Sequence, residues 1–293
     1  MRVENREEMM GVKKKKEKEP EFFMSATNIR TINYNVYYMK LYEKILYFIV
    51  AFLVGALVGY IFYGGIGVDE FGEATKKTHI LNAMICTTTG SIAGIAFIPI
   101  RTKQILAKRK GELRQQFREL LDSLVTSLGS GKNVTESFGF AKEDLRIIYE
   151  EDSYIMQELS VILTGLTNNI SIESMLMDFA ERSGNQDIRC FARIFETCYR
   201  KGGNIKEVIR NTQQIINDKM EIELEIETIV TANKTEQNIM MIMPVALIGM
   251  IKFMSPELTA NFTSTVGIIA TTVAVAMFVM AYFVGKAILD IKI

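Results

Sequence analysis

ILYFIVAFLVGALVGYIFYGGIGV, residues 45–68, contains no Asp, Glu, Lys or Arg and is long enough as helix to span a bilayer. A bilayer core of ~30 Å takes about 20 residues as helix, because lipid offers backbone N–H and C=O groups no other partner. Three further charge-free runs follow at 80–100, 237–251 and 258–285. The four come as two pairs, each read as a hairpin with a short loop, around a long polar block. The expected fold is an all-α integral membrane protein with four transmembrane helices in two hairpins flanking a cytoplasmic bundle of about six helices. The expected divisions are a disordered basic tail at 1–43, a first hairpin at 44–100, a cytoplasmic domain at 101–237 and a second hairpin at 238–288.

Lys and Arg beside the spans set the orientation, since short loops rich in them stay cytoplasmic. Lys13–Lys16 and Lys18 precede the first span, and Arg101, Lys103, Lys108, Arg109 and Lys110 crowd the exit of the second. The opposite loops are poor in positive charge: Lys76 and Lys77 face Asp69, Glu70 and Glu73, and Glu257 follows the boundary Lys252. Both termini and the polar block are therefore expected in the cytoplasm of a multi-pass protein. No apolar run suited to a cleaved signal lies in the first 40 residues, so the first span is expected to insert directly. Glu17, Glu19 and Glu21 interrupt the basic run, which reads as a solvated tail in preference to a patch for nucleic acid or anionic lipid.

Formal net charge is +0, an argument against nucleic acid as the main partner. Cys86, Cys190 and Cys198 have neither CxxC nor zinc-ligand spacing and read as buried thiols. The single histidine, His79, stands at a membrane boundary as a polar anchor. No metal or cofactor is implied. Gly129-Ser130-Gly131-Lys132 resembles part of a phosphate loop, but Thr126 and Asn133 occupy the positions where that loop needs Gly and Ser or Thr. Helix capping is the better reading. Glu181-Arg182 beside Gly184 reads as a salt-bridged helix end, and with no histidine in the polar block the commonest general base is missing. No catalytic residue is expected, and the chain is read as a non-enzyme.

Apolar residues of the block recur at three and four, the helical period. Leu113, Phe117, Leu120, Leu121, Leu124 and Leu128 make one stripe, ended by Gly129 and Gly131. Helices carrying Phe138, Ile155, Phe179 and Phe195 follow, with stops at Asn168-Asn169, Gly184 and Gly202-Gly203. A sixth starts at Ile205 and runs toward the third span. Three helix starts look alike: Asn133 with Glu136, Ser171 with Ser174, and Asn204 with Glu207. In the first and third the Asn caps the N3 amide while the Glu reaches back, as in a capping box.

These phrases carry a resemblance. From Phe117 to Pro256, FRELLDSLVTSLGSGKNVTESF, ELSVILTGLTNNISIESMLMDFAERSG, FETCYRKGGNIKEVIRNTQQI and the segment with Pro244 and Ser255-Pro256 resemble the type II secretion system F domain family. The likeness is to the single-domain, TadB/TadC-like platform proteins of tight-adherence (Tad, Flp-type) pilus machines. It implies a platform of the bacterial inner membrane that couples a pilus assembly ATPase to pilin and pairs with itself or a sister platform protein, without catalytic residues. Relatives are often rich in Arg after the Gly202-Gly203 phrase; here stand Glu221, Glu223, Glu225 and Glu227.

That acidic segment alternates like a strand, but its place between a helical pattern and a span makes it helix. Its glutamates are either a solvated face or a contact for a basic partner. Gly55 and Gly59, and Gly90 and Gly94, form GxxxG in successive spans, where small residues let helices approach closely. A small transporter is the alternative function, with Thr87, Thr88, Thr89 and Ser91 as its polar path. Charges at mid-span, usual in such proteins, are missing. A signalling scaffold would need an output module, and none is recognised.

Overall fold

The computed structural model describes residues 20–25, 27–66, 75–254 and 261–289. Lys13–Lys16, Asp69, Ser255-Pro256 and Glu257 lie outside the described residues. Two short strands, β1 (Phe22–Met24) and β2 (Arg30–Ile32), precede the helices α1 (Leu41–Tyr63), α2 (Lys76–Gly129), α3 (Val134–Leu145) and α4 (Tyr154–Thr167). Then come α5 (Ile172–Ser183), α6 (Gln186–Lys201), α7 (Ile205–Met254) and α8 (Thr265–Leu289). Helix dominates, and α1, α2, α7 and α8 are each long and apolar enough to cross a membrane.

The described residues fall into two compact units, one made of residues up to Tyr38 with Arg109–Val208, the other of Met39–Lys108 with Ile209 onward. The divisions expected at 100/101 and 237/238 both fall inside uninterrupted helices, α2 and α7. A charge boundary marks where water begins; it does not oblige a helix to stop, and Lys, Glu, Gln and Arg carry the helix onward at little cost. Pro99 lies within α2 and Pro244 within α7.

In the apolar unit, α1 and α2 meet through their small residues. A Cβ on Gly55 would reach Ala93 Cβ at 2.6 Å and Thr89 O at 3.0 Å; one on Gly90 would reach the Phe52 ring at 2.8 Å, and one on Gly94 the Phe48 ring at 2.6 Å. The space beside Gly59 is taken by the Thr89 side chain. All four glycines of the two GxxxG pairs thus lie at one helix contact. Lys252 near the end of α7 donates to the Gly64 carbonyl at 3.0 Å and the Phe62 carbonyl at 3.4 Å. Phe62 lies in the last turn of α1 and Gly64 is its C-cap, where no intrahelical donor remains. The Tyr63 hydroxyl donates to Thr272 Oγ1 of α8 at 3.3 Å.

The polar unit has its core on the predicted stripes. Leu113, Phe117, Leu120, Leu121 and Leu124 of α2 are buried with Phe138, Ile155, Leu159, Leu176, Phe179, Phe191 and Phe195. Phe117 meets Phe191 edge-on, with ring centroids 5.5 Å apart, and Phe179 at 6.2 Å. Leu128 is only half-buried, and Tyr199, four residues after Phe195 on α6, is exposed.

The tail expected at 1–43 contains structure. β1 and β2 pair antiparallel, Phe22 opposite Ile32 and Met24 opposite Arg30. Tyr34 beyond them is completely buried.

The α1–α2 contact predicts that Gly55→Val lowers the melting temperature of the full chain in detergent, since overpacking typically costs about 1–3 kcal/mol. Gly111→Ala, where a Cβ meets nothing within 4 Å, should leave melting unchanged. Equal melting of Gly55→Val and the unmodified chain would show that the close approach is not formed.

Candidate functional site

The predicted helix stops and starts share one geometry. Gly131 (φ 89°), Asn169 (φ 60°) and Gly202 (φ 73°) are left-handed, and each is followed, after one spacer residue, by an N-cap: Asn133, Ser171 and Asn204. The left-handed residue turns the chain so that the next N–H can bond back into the finished helix. Ile170 N donates to Gly165 O at 2.9 Å, and Gly203 N to Cys198 O at 2.7 Å. The cap then satisfies an amide of the new helix. Glu136 N donates to Asn133 Oδ1 at 2.8 Å and Asn133 N to Glu136 Oε2 at 3.3 Å, a complete capping box. Ser174 N donates to Ser171 Oγ at 3.4 Å.

At the third junction Glu207 N donates to Asn204 Oδ1 at 3.2 Å, but the Glu207 carboxylate accepts from the Asn204 side-chain amide at 3.3 Å. The left-handed residue there is Gly202 and not Gly203. Gly129 is the last residue of α2, so the Gly129–Lys132 turn joins helix to helix, not strand to helix as a phosphate loop requires. Lys132 Nζ sits 3.4 Å from the centroid of the Phe140 ring.

The fourth stop, Gly184 (φ 57°), is different. A Cβ there would overlap the Asn35 side chain and lie 2.8 Å from Lys110 Nζ. Asn35 accepts from Lys110 Nζ at 2.9 Å, and Tyr34 N donates to the Arg182 carbonyl at 3.1 Å. Burial holds the Lys110 ammonium below its usual range.

Next to these Tyr34 and Asn35 contacts lies a buried ionic cluster. Arg182 donates to both Glu158 oxygens, at 2.7 and 2.6 Å, and to Asp178 Oδ2 at 3.0 Å. Tyr34 donates its hydroxyl to Glu158 Oε1 at 3.0 Å. Arg182 and Glu158 are 4% and 3% exposed at the side chain, so neither charge is screened by water. Burial opposes the Arg182 charge, but the Glu158 and Asp178 carboxylates outweigh it and hold the guanidinium above its usual range. Burial first, and then Glu158, raises the Tyr34 phenol. The helix-end ion pair expected at Glu181-Arg182 thus runs from Arg182 to α4. The cluster was unread because it joins residues far apart in sequence. Its one signal was aromatic: Phe22, Phe23, Tyr34, Tyr37 and Tyr38 are too many for a solvated tail.

The junction residues lie at separate turns of the polar unit and converge on no common site. Glu221, Glu223, Glu225 and Glu227 are on α7, helical as expected. Glu221, Glu225 and Glu227 are exposed and Glu223 is half-buried. Cys190, expected buried, is exposed, because it lies on the outer face of α6 away from Phe191 and Phe195; Cys86 and Cys198 are half-buried. His79 is exposed near the start of α2. No group of His, Cys, Asp or Glu suited to a metal ion occurs among the described residues. Thr87, Thr88 and Thr89 donate to the carbonyls of Ala83, Met84 and Ile85, at 2.6, 2.9 and 2.8 Å. Their hydroxyl protons thus face their own helix and not a conduit.

No family model matches the chain, and neither does any curated protein or solved structure.

Removing one member of the cluster should hurt more than removing both charges. Arg182→Leu strands the Glu158 charge and should cost about 3–5 kcal/mol, whereas Arg182→Leu with Glu158→Leu should recover much of it. Denaturation of the full chain followed by circular dichroism measures both, and a double variant as unstable as the single would refute it. At the third junction Gly202→Val should destabilise by about 1–2 kcal/mol and Asn204→Ala by about 1 kcal/mol, measured the same way. An unaffected Gly202→Val protein would misplace the left-handed residue.

Proposed function

We propose that the chain is an inner-membrane platform subunit of a Tad/Flp-type pilus or related secretion machine, coupling a cytoplasmic assembly ATPase to pilin. In this reading α1 with α2, and α7 with α8, form two transmembrane hairpins. The polar unit stands in the cytoplasm as a helical bundle, with both termini on the same side. Its role is to hold position and transmit movement, and its partners are the ATPase, a sister platform protein or second copy, pilin and lipid.

The succession of helix junctions carries this reading. Left-handed stop, one spacer and N-cap recur at Gly131-Asn133, Asn169-Ser171 and Gly202-Asn204 within a polar unit flanked by helices long enough to cross a membrane. That order and spacing are what resemble the F domain phrases. The back-bonded threonines of α2 weigh against the transporter alternative. So does the apolar cleft of about 690 Å³ between α1, α2 and α8, which no charged side chain lines.

Affinity purification from native bacterial membranes, followed by mass spectrometry, tests the proposal. A pilus assembly ATPase and a second F domain protein should accompany the chain. Solute uptake by the purified chain in proteoliposomes, with neither partner recovered, would support the transporter instead.

A further inference from the structure

Helix α7 carries an exposed apolar stripe outside its charge-free run. Ile215, Ile222 and Ile229 are 65%, 55% and 60% exposed and Ile226 is half-buried, while Leu224, also exposed, stands alone on the opposite face. At about 100° per residue, Ile222 and Ile226 fall about 20° to either side of Ile215, and Ile229 about 40° away, so the four share one face. Ile209 and Ile216 are buried and lie about 100° or more round the helix from Ile215. The charge-free run begins at Gln237. At about 1.5 Å per residue Ile229 is ~12 Å and Ile215 ~33 Å from it, with Glu227, Lys234 and Glu236 between.

The spacing is that of one row of a coiled-coil seam. Val208, Ile215, Ile222 and Ile229 recur at sevens, while of the positions four further on, Thr212, Lys219, Ile226 and Asn233, only Ile226 is apolar. Glu221 and Glu225 border one edge of the stripe; on the other edge Lys219 lies about 40° from Ile215, with Glu223 and Glu227 further round. A second copy of α7 is a poor cover. Asp218, Glu225 and Glu223 would occupy the flanking positions, and either a parallel or an antiparallel pairing brings carboxylate to carboxylate. The chain's own basic run is no better, since residues 13–19, KKKKEKE, bring no apolar side chain to the isoleucines.

We infer that the Ile215, Ile222, Ile226 and Ile229 face of α7 docks an amphipathic helix of another protein, one with an apolar heptad seam bordered by Lys or Arg. The inference rests on the platform reading for there being such a partner, and adds its chemistry. Apolar burial supplies the attraction, and the glutamates select against partners with acidic borders.

The test uses the full chain in phosphatidylcholine nanodiscs and two labelled three-heptad peptides with the same apolar seam, one bordered by Lys and Arg, the other by Glu. Fluorescence anisotropy should show saturable binding of the basic peptide only. Ile222→Ser with Ile229→Ser should weaken it about tenfold or more, as loss of a packed anchor does. Glu221→Lys with Glu225→Lys should shift preference to the acidic peptide, with circular dichroism unchanged. Basic-peptide binding that survives the isoleucine changes would reduce the effect to charge attraction and overturn the inference. So would disulfide trapping between copies through Ile222→Cys in a chain whose own cysteines are Ser, or binding that appears only when residues 1–19 are removed. A chain that binds the basic peptide yet recovers no assembly ATPase would sink the platform reading and leave the docking face standing.

Discussion

The need to satisfy backbone hydrogen bonds without water governs the apolar helices. A chain with four charge-free runs has one economical way to satisfy every N–H and C=O inside a bilayer, and that is helix. The local details of the apolar unit follow from it. Helix-to-helix attraction in such a medium comes from packing, so Gly55, Gly59, Gly90 and Gly94 gather at the α1–α2 contact, where a side chain would collide. Polar side chains turn their protons inward, as Thr87, Thr88 and Thr89 do. The carbonyls left over at the end of α1 take a cation, Lys252.

The polar unit answers to a different balance. In water, helices of 12 to 16 residues such as α3 to α6 are marginal alone and depend on one another. The phenylalanine core supplies burial, and the left-handed stops with their caps set where each helix ends. The Arg182–Glu158–Asp178 cluster does something burial cannot. Its charges tolerate few arrangements, so they fix the register of α4 against α5 and accept only the segment that brings the Tyr34 hydroxyl to Glu158. Gly184 is part of the same fit, because Asn35 lies where its side chain would be.

The helical class, the apolar stripes and the turn positions were legible because each is written within a few neighbouring residues. Phe117, Phe138, Ile155, Phe179 and Phe195 each lie in a run of helical period and are buried; Asn133 and Glu136 are three apart and bond to each other. What was not legible joins distant residues. Tyr34 and Glu158 are separated by more than a hundred positions, and strands as short as β1 and β2 show no alternation to read. The divisions expected at 100 and 237 fall within helices, because charge reports the solvent around a segment while α2 and α7 run on without a break.

Side-specific labelling tests the arrangement most directly. In a chain whose native cysteines are Ser, single cysteines at Asp69 and at Lys142 would be exposed to a membrane-impermeant maleimide in intact cells. Labelling at 69 from outside, and at 142 only after permeabilisation, is the result expected of spans oriented by their Lys and Arg. Labelling at 142 in intact cells would contradict it and, with it, the cytoplasmic placement of the polar unit that the proposed platform function requires.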